Sequence, residues 1–259
     1  MTHAPLRRYV MIGAPVTSVR TPPLLEAFLA GRGIDARVET RHVEPAALTA
    51  FVADVRADPS IGGLCVTMPH KNAIALLLDG LEGAARTTRS VNAVRRTADG
   101  QLIGGQFDGI ALVGAVKAAG LQVTGRTVHL AGLGGAGLAI AEALLAQSPS
   151  SLVITEPDAD RRAAAPLSER VSVMPPGTDP GRADILVNAT PLGMAADDPS
   201  PFSASQVARA MLVADIVADP PATALAALAA EAGTPLVTGR DMVKAQIAPI
   251  GNWLLGEGR

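Results

Sequence analysis

Residues Thr127-Val128-His129-Leu130-Ala131-Gly132-Leu133-Gly134-Gly135-Ala136-Gly137 constrain this chain more than any other stretch. A short apolar run stops at glycine and gives way to Leu138–Ala146, which has helical composition. Such a strand–turn–helix unit suits a dinucleotide: Gly132 permits the tight turn, Gly134 lets the backbone approach a pyrophosphate, and Gly137 lets helix and strand pack closely. The phosphates would meet free N–H groups at the helix N-terminus. A second strand over 151–155 ends at Glu156, where an acid accepts hydrogen bonds from a ribose diol. An S-adenosylmethionine site in a methyltransferase combines the same elements, and the glycines alone do not separate the two.

The chain has 259 residues, against roughly 150 for a typical domain, so two domains are expected. Hydrophobic residues make up 48% and aromatic residues 2%, a balance that suits helices on parallel strands better than an aromatic nucleic-acid surface. The net charge is -2 with no basic block, which gives no electrostatic case for a nucleic-acid or membrane partner. The single cysteine, Cys65, excludes an intramolecular disulfide, and the four scattered histidines lack metal-like spacing, so no metal site is expected. No run approaches the ~18 apolar residues of a membrane span, and Met1–Arg8 has no signal-peptide core; a cytoplasmic location is expected.

Taken in order, Tyr9–Gly13 reads as a strand, Thr21-Pro22-Pro23 as an N-cap and helix start, Ala36–Val43 as a strand and Pro45–Val55 as a helix. Ile61–Thr67 is a third strand, ending in Met68-Pro69-His70-Lys71 with an Ala/Leu helix after it. Ser90–Arg95 and Gln101–Phe107 flank Asp99-Gly100 as a hairpin, and Asp108-Gly109 opens a helix through Ala119. Asp184–Asn188 and Met211–Val217 are buried strands of the second domain, and Met242–Leu255 is a final helix expected to pack on the first. The fold class is therefore α/β with two domains: an N-terminal α/β substrate domain with a largely parallel sheet over 1–108, completed by helix 240–259, and a Rossmann-type dinucleotide-binding domain over 109–239.

In open α/β sheets ligands bind beyond the carboxyl ends of the strands. Thr67, Lys71, Asn92, Asp108, Asn188, Thr190 and Asp215 fall at such ends. A lysine and an aspartate that share a cleft can manage a proton while a cofactor moves the hydride. By residue type alone, Lys71 also fits a solvated helix start, Asp108 an N-cap and Asn92 a turn.

The order of the pieces resembles the shikimate dehydrogenase family: Gly13-Ala14-Pro15 and Thr21-Pro22; Val66-Thr67-Met68-Pro69-His70-Lys71; Val91-Asn92; Gly105 with Asp108-Gly109; the glycine loop; Asn188-Ala189-Thr190-Pro191-Leu192-Gly193-Met194; Asp215 with Thr223; and Gly239, Met242 and Gln246. These blocks disfavour the methyltransferase. The resemblance implies an active site between the domains, with Lys71 and Asp108 the catalytic pair and Thr21, Thr67, Asn92 and Gln246 on the substrate. Gly132, Gly134, Gly135, Ala136 and Gly137 would cradle the pyrophosphate, and Thr190, Met194, Gly239 and Met242 would flank the nicotinamide. It further implies a small-molecule substrate such as shikimate or quinate, a place in aromatic amino acid biosynthesis, and a monomer or homodimer.

The chain departs from that pattern on the substrate side. Where the family places two serines, usually after a histidine, against the substrate carboxylate, the three positions read Ser18, Val19 and Thr21; Cys65 replaces an Asn, Gln106-Phe107 replaces Asn-Thr, and Ala218 replaces a Tyr. Two lost hydrogen bonds to a charged group are worth about 3 to 6 kcal/mol. The expected substrate is accordingly less polar or differently substituted, with Arg20 or Arg240 supplying a replacement charge. Thr155-Glu156-Pro157 stands where members using NADP have Asn-Arg-Thr, so NAD is the expected preference, with Arg161 and Arg162 the residues most able to rescue NADP. The alternative is a non-catalytic cofactor-binding or regulatory relative that has lost its substrate pocket.

Overall fold

Short apolar runs broken by glycine, proline or polar pairs alternate with Ala/Leu-rich stretches, and strands alternate with helices accordingly. The structure is a computed structural model and describes residues 7–16, 19–163, 165, 168–178, 180–220 and 222–257. The chain divides into two units, one formed by residues up to Phe107 together with those from Gln246 on, the other by Asp108–Ala245. The second division falls beyond the expected 239/240 and inside a continuous helix, because Met242 packs in one core while Ile247, Ile250 and Trp253 pack in the other.

The first unit contains β1 (Arg7–Gly13), α1 (Thr21–Ala30), β2 (Ala36–His42), α2 (Leu48–Ala57), β3 (Ile61–Val66), α3 (Lys71–Ala75), β4 (Gly80–Leu81), α4 (Ala85–Thr88), β5 (Ala93–Arg96) and β6 (Leu102–Gly105). Its sheet runs β2-β1-β3-β5-β6-β4. β2, β1 and β3 are parallel, whereas β5 is antiparallel to both β3 and β6. The hairpin expected around Asp99-Gly100 is present, with Gly100 at φ +87°, the left-handed value such a turn needs. Side chains alternate across β1, so Val10 and Ile12 join the core under α2 while Tyr9 and Met11 join the one built on α1 and the last helix.

Three local readings change. Arg20, not Thr21, is the N-cap residue of α1, and its side chain makes no capping bond; Thr21 is the first helical residue, ahead of the two prolines. Pro45–Ala47 forms a 3-10 turn before α2, and the helix after Lys71 is only one turn long.

The second unit contains α5 (Asp108–Ala118), β7 (Thr127–Ala131), α6 (Gly135–Ala146), β8 (Ser151–Thr155), α7 (Ala159–Ala163), β9 (Val171–Met174), β10 (Ile185–Asn188), α8 (Ala204–Arg209), β11 (Leu212–Asp215), α9 (Ala224–Ala232) and β12 (Leu236–Thr238), and α10 (Gly239–Leu254) follows. Its sheet is wholly parallel in the order β12-β11-β10-β7-β8-β9. Strand order reverses between β7 and β10, and that switch point is where a doubly wound sheet binds ligands. Short β9 and β12 lacked the continuous apolar run that marks a buried strand. α5 packs closely on α6 because residue 109 is glycine: a Cβ there would lie 2.2 Å from the Ala139 carbonyl oxygen. Among the described residues, no helix is long and apolar enough to cross a membrane.

Candidate active site

At the end of β7 the glycines divide into two kinds. Gly132 has φ +96°, and a Cβ on Gly137 would lie 2.2 Å from the Gly132 carbonyl oxygen, so both serve internal packing. Gly134, Gly135 and Ala136 are half-exposed, and a Cβ on Gly134 would meet no protein atom within 4 Å. Gly134 caps α6 without a side-chain bond, and the first amides of a helix have no intrahelical acceptor. This bare lip of backbone donors, with space where side chains would stand, fits a pyrophosphate.

Glu156 has a different environment from the one expected of a ribose acceptor. It is only 2% exposed; its Oε2 accepts from the Leu133 N–H at 2.6 Å and its Oε1 from the Asp158 N–H at 3.0 Å. The carboxylate thus clamps the glycine loop to the end of β8, leaving only its remaining lone pairs for a diol. Arg161 reaches Oε1 at 3.9 Å and is mostly exposed, while Arg162 donates to the Glu156 and Pro157 carbonyls.

Across the switch point, Asn188 is fully buried and its side chain holds the turn that follows. Thr190 is half-exposed, Met194 is 47% exposed, and Met242 is buried in the core. Gly239 begins α10 in a place closed to any side chain, since a Cβ would lie 2.4 Å from the Ile216 carbonyl oxygen.

In the first unit the expected substrate residues are held by backbone bonds. Thr67 N–H donates to the Ile12 carbonyl, Lys71 is the first residue of α3, and the Lys71 carbonyl accepts from Val91 N–H at 2.8 Å. That bond sets the 91–92 segment beside the Lys71 turn. Asn92 then donates from Nδ2 to Gln246 Oε1 at 3.3 Å and accepts from Phe107 N–H at 3.0 Å, so Thr67, Lys71, Asn92 and Gln246 belong to one framework. Buried His70 supports the turn through Nε2 on the Val43 carbonyl oxygen. Asp108, the next residue after Phe107, opens α5 of the second unit and is 3% exposed.

The departures on this side have internal partners. Gln106 donates to Ser90 Oγ at 3.0 Å, and the Phe107 ring packs against Trp253 with centroids 5.3 Å apart. Burial pushes the Cys65 thiol up to about 12, so it remains protonated and supplies no nucleophile. Val19 is half-buried; Ser18 lies outside the described residues. The roles of Ser90 and Leu133 N–H escaped the sequence reading because neither carries a motif signal. Among the described residues, no cluster of three or more His, Cys, Asp or Glu could hold a metal ion.

Residues 11–94 match the family described as the shikimate dehydrogenase substrate binding domain. Over 242 residues, 90% of this chain and 85% of the relative, the chain is 37% identical to a shikimate dehydrogenase (NADP(+)) of Rubrobacter xylanophilus. Among solved structures it is similar to a shikimate 5-dehydrogenase of Thermus thermophilus in complex with NADP(H) and shikimate, at 28% identity and a TM-score of 0.83 over 96% of this chain and 94% of that one. It is also similar to a 5-ketofructose reductase of a Gluconobacter strain, at 25% identity and a TM-score of 0.80 over 98% and 94%.

Proposed function

The chain belongs to the shikimate dehydrogenase family, and from that premise we propose that it is a nicotinamide-dependent oxidoreductase interconverting a secondary alcohol and a ketone on a cyclic hydroxy acid or related polyol. The observation that carries this reading is the bonded framework that sets Asn92 and Gln246 beside the Lys71 turn, in a chain that also keeps Asp108 and the bare glycine lip. A protein retained only to bind nucleotide has no need of that framework.

Gly134, Gly135 and Ala136 would hold the pyrophosphate on the turn that Gly132 and Gly137 keep closed, and Thr190, Met194, Gly239 and Met242 would border the nicotinamide, which when bound supplies the hydride chemistry. Lys71 Nζ gives a proton to the carbonyl oxygen in reduction and withdraws it from the alcohol in oxidation. Asp108, buried at the start of α5, would be the acid of the catalytic pair that membership of the family implies. Thr67, Asn92 and Gln246 would bond ring hydroxyls, and Thr21 would stand where the family has a serine against the substrate carboxylate.

The proposed substrate is less polar than shikimate or differently substituted. Support comes from Gln106 and Phe107, which are engaged with Ser90 and Trp253, and from buried, protonated Cys65. Arg240 is the better placed of the two candidate replacement charges: its Nε donates to the Ala218 carbonyl at 3.4 Å, at the position where the family has Tyr. A similar fold is named as a 5-ketofructose reductase, which is in keeping with a substrate other than shikimate.

NAD is the proposed preferred cofactor because Glu156 fixes a carboxylate at the end of β8, where a 2′-phosphate would be repelled. The NADP(+) name of the Rubrobacter relative points the other way, with Arg161 the available counter-charge. Steady-state kinetics on shikimate, quinate and a panel of cyclic polyols with both cofactors tests the whole reading. Shikimate turnover with ordinary family efficiency would remove the altered substrate, and a tenfold advantage for NADP would remove the NAD preference.

A further inference from the structure

Three buried polar side chains at the carboxyl ends of β10 and β11 take no part in the proton chemistry above, and they bond to one another. Asp215 is 3% exposed, Asn188 fully buried and Thr223 6% exposed. Asp215 Oδ1 accepts from Asn188 Nδ2 at 3.0 Å and from Val217 N–H at 3.2 Å, while Oδ2 accepts from Thr223 Oγ1 at 2.6 Å. Asn188 passes the constraint on: its Oδ1 accepts from Thr190 N–H at 3.0 Å and Thr190 Oγ1 at 2.6 Å, and its Nδ2 donates to the Leu192 carbonyl at 2.9 Å. Thr190 Oγ1 in turn accepts from Leu192 N–H at 3.1 Å. The far end of the turn is closed by Asp198, whose Oδ2 accepts from Gly193 and Ala195 N–H, both at 2.9 Å.

We propose that Asp215 is a positioning residue: through Asn188 it fixes the 189–194 turn, and through Val217 the 216–218 turn against which Gly239 packs, so that both are set for the nicotinamide end of the cofactor. The inference rests on the reading that Thr190, Met194 and Gly239 border that ring. The chemistry requires a carboxylate rather than any polar group of the same size. Asn188 Nδ2, Val217 N–H and Thr223 O–H are all donors to Asp215, and an ionised carboxylate is acceptor-only. An amide in its place must present its NH₂ to one side of the hub. Facing Thr223 it leaves that hydroxyl proton without its acceptor; facing Asn188 and Val217 it sets donors against donors. The network also fixes the Asn188 amide, since the flipped orientation would turn its NH₂ toward the Thr190 amide.

The glycine lip that would hold the adenosine side follows β7 and shares none of these bonds, so the two ends of the cofactor separate experimentally. The test compares Asp215→Asn with the wild type for binding of NADH or NADPH, whichever the wild type holds more tightly, and of the matching ADP-ribose or 2′-phospho-ADP-ribose, which lacks nicotinamide. NAD(P)H fluorescence and calorimetry read the two affinities. The expected result is NAD(P)H weakened about tenfold with ADP-ribose unchanged within threefold, and kcat reduced more than the cofactor KM is raised. Equal weakening of both ligands, or of neither, overturns the positioning role alone. A wild type that binds neither ligand takes down the nicotinamide reading and this inference with it. Should Asp215→Asn fail to fold, Thr223→Val removes one donor from the hub and is expected to give the same selective loss, while Thr223→Ser retains wild-type binding. A Thr223→Val protein that binds both ligands normally overturns the proposal.

Discussion

The glycine lip after β7 and the polar framework after β3 are built from different atoms. The first is made of main-chain amides, and its requirements fall on residues that must have no side chain: Gly132, Gly137 and the open Gly134. The second is made of side chains, Lys71, Asn92 and Gln246, carried on short backbone segments bonded to one another. A backbone site tolerates drift at its neighbours because amides do not mutate. A side-chain site records each change of ligand: the departures Cys65, Gln106, Phe107 and Val19 lie on that side, and those in the second unit, Glu156 and Ala218, are likewise changes of side chain that leave the glycines in place.

The largest expected effect breaks the side-chain framework. Lys71→Ala should cut turnover by about a thousandfold, the scale of losing a general acid–base group. Its melting temperature should change little, because Lys71 is half-buried at a helix start. Loss of turnover in parallel with unfolding would deny the lysine a chemical role.

Acid should separate the two units next. His129 lies in the second sheet at 3% exposure with Nδ1 unbonded, and burial pushes its pKa from 6.5 down to about 4. The unfolded chain binds this proton first, so stability is full above about pH 6.5 and falls by about 1.4 kcal/mol per pH unit down to about pH 4, some ~3 kcal/mol in all. Asp58, Asp79, Asp158, Asp184 and Asp241 are lowered as well, from 3.8, so their losses also come on acidification but begin at lower pH. His129→Phe should flatten the decline between pH 6.5 and 4 in urea melts. An unchanged slope would mean that the imidazole titrates normally in the fold.

Two glycine variants sharpen the backbone side. Gly137→Ala forces a Cβ onto the Gly132 carbonyl and should destabilise the second unit by about 2 kcal/mol and abolish nucleotide binding. Gly134→Ala meets no protein atom and should keep the melting temperature while weakening nucleotide binding about tenfold. Identical behaviour of the two would erase the distinction between packing and ligand-facing glycines. The smallest expected effects concern specificity: Val19→Ser should raise kcat/KM for shikimate roughly tenfold, as one restored bond to a charged group would. Glu156→Asn should shift preference toward NADP by a similar factor. No response in either would mean that recognition is set elsewhere.

The difference between the two sites also explains what was legible in the sequence. The alternation of strands and helices, the hairpin at Asp99-Gly100 and the glycine lip were readable because period and glycine placement report directly on backbone. Thr21 was mistaken for a cap because Thr-Pro-Pro has the composition of a helix start, and α6 was started late because its first residues are glycine and alanine. The partners of Glu156, Gln106 and Asp215 were not readable. Each depends on a residue brought close only by tertiary folding, such as Leu133, Ser90 or Asn188.

Cys65 is the chain's single thiol, 2% exposed on β3, in the sheet that carries the polar framework. A maleimide or disulfide reagent therefore finds no target while that sheet is closed, and the rate of labelling counts its openings without any engineered probe. Since the opposite sheet contains no sulfhydryl, the same reaction run under acid or urea distinguishes which half of the protein gives way first.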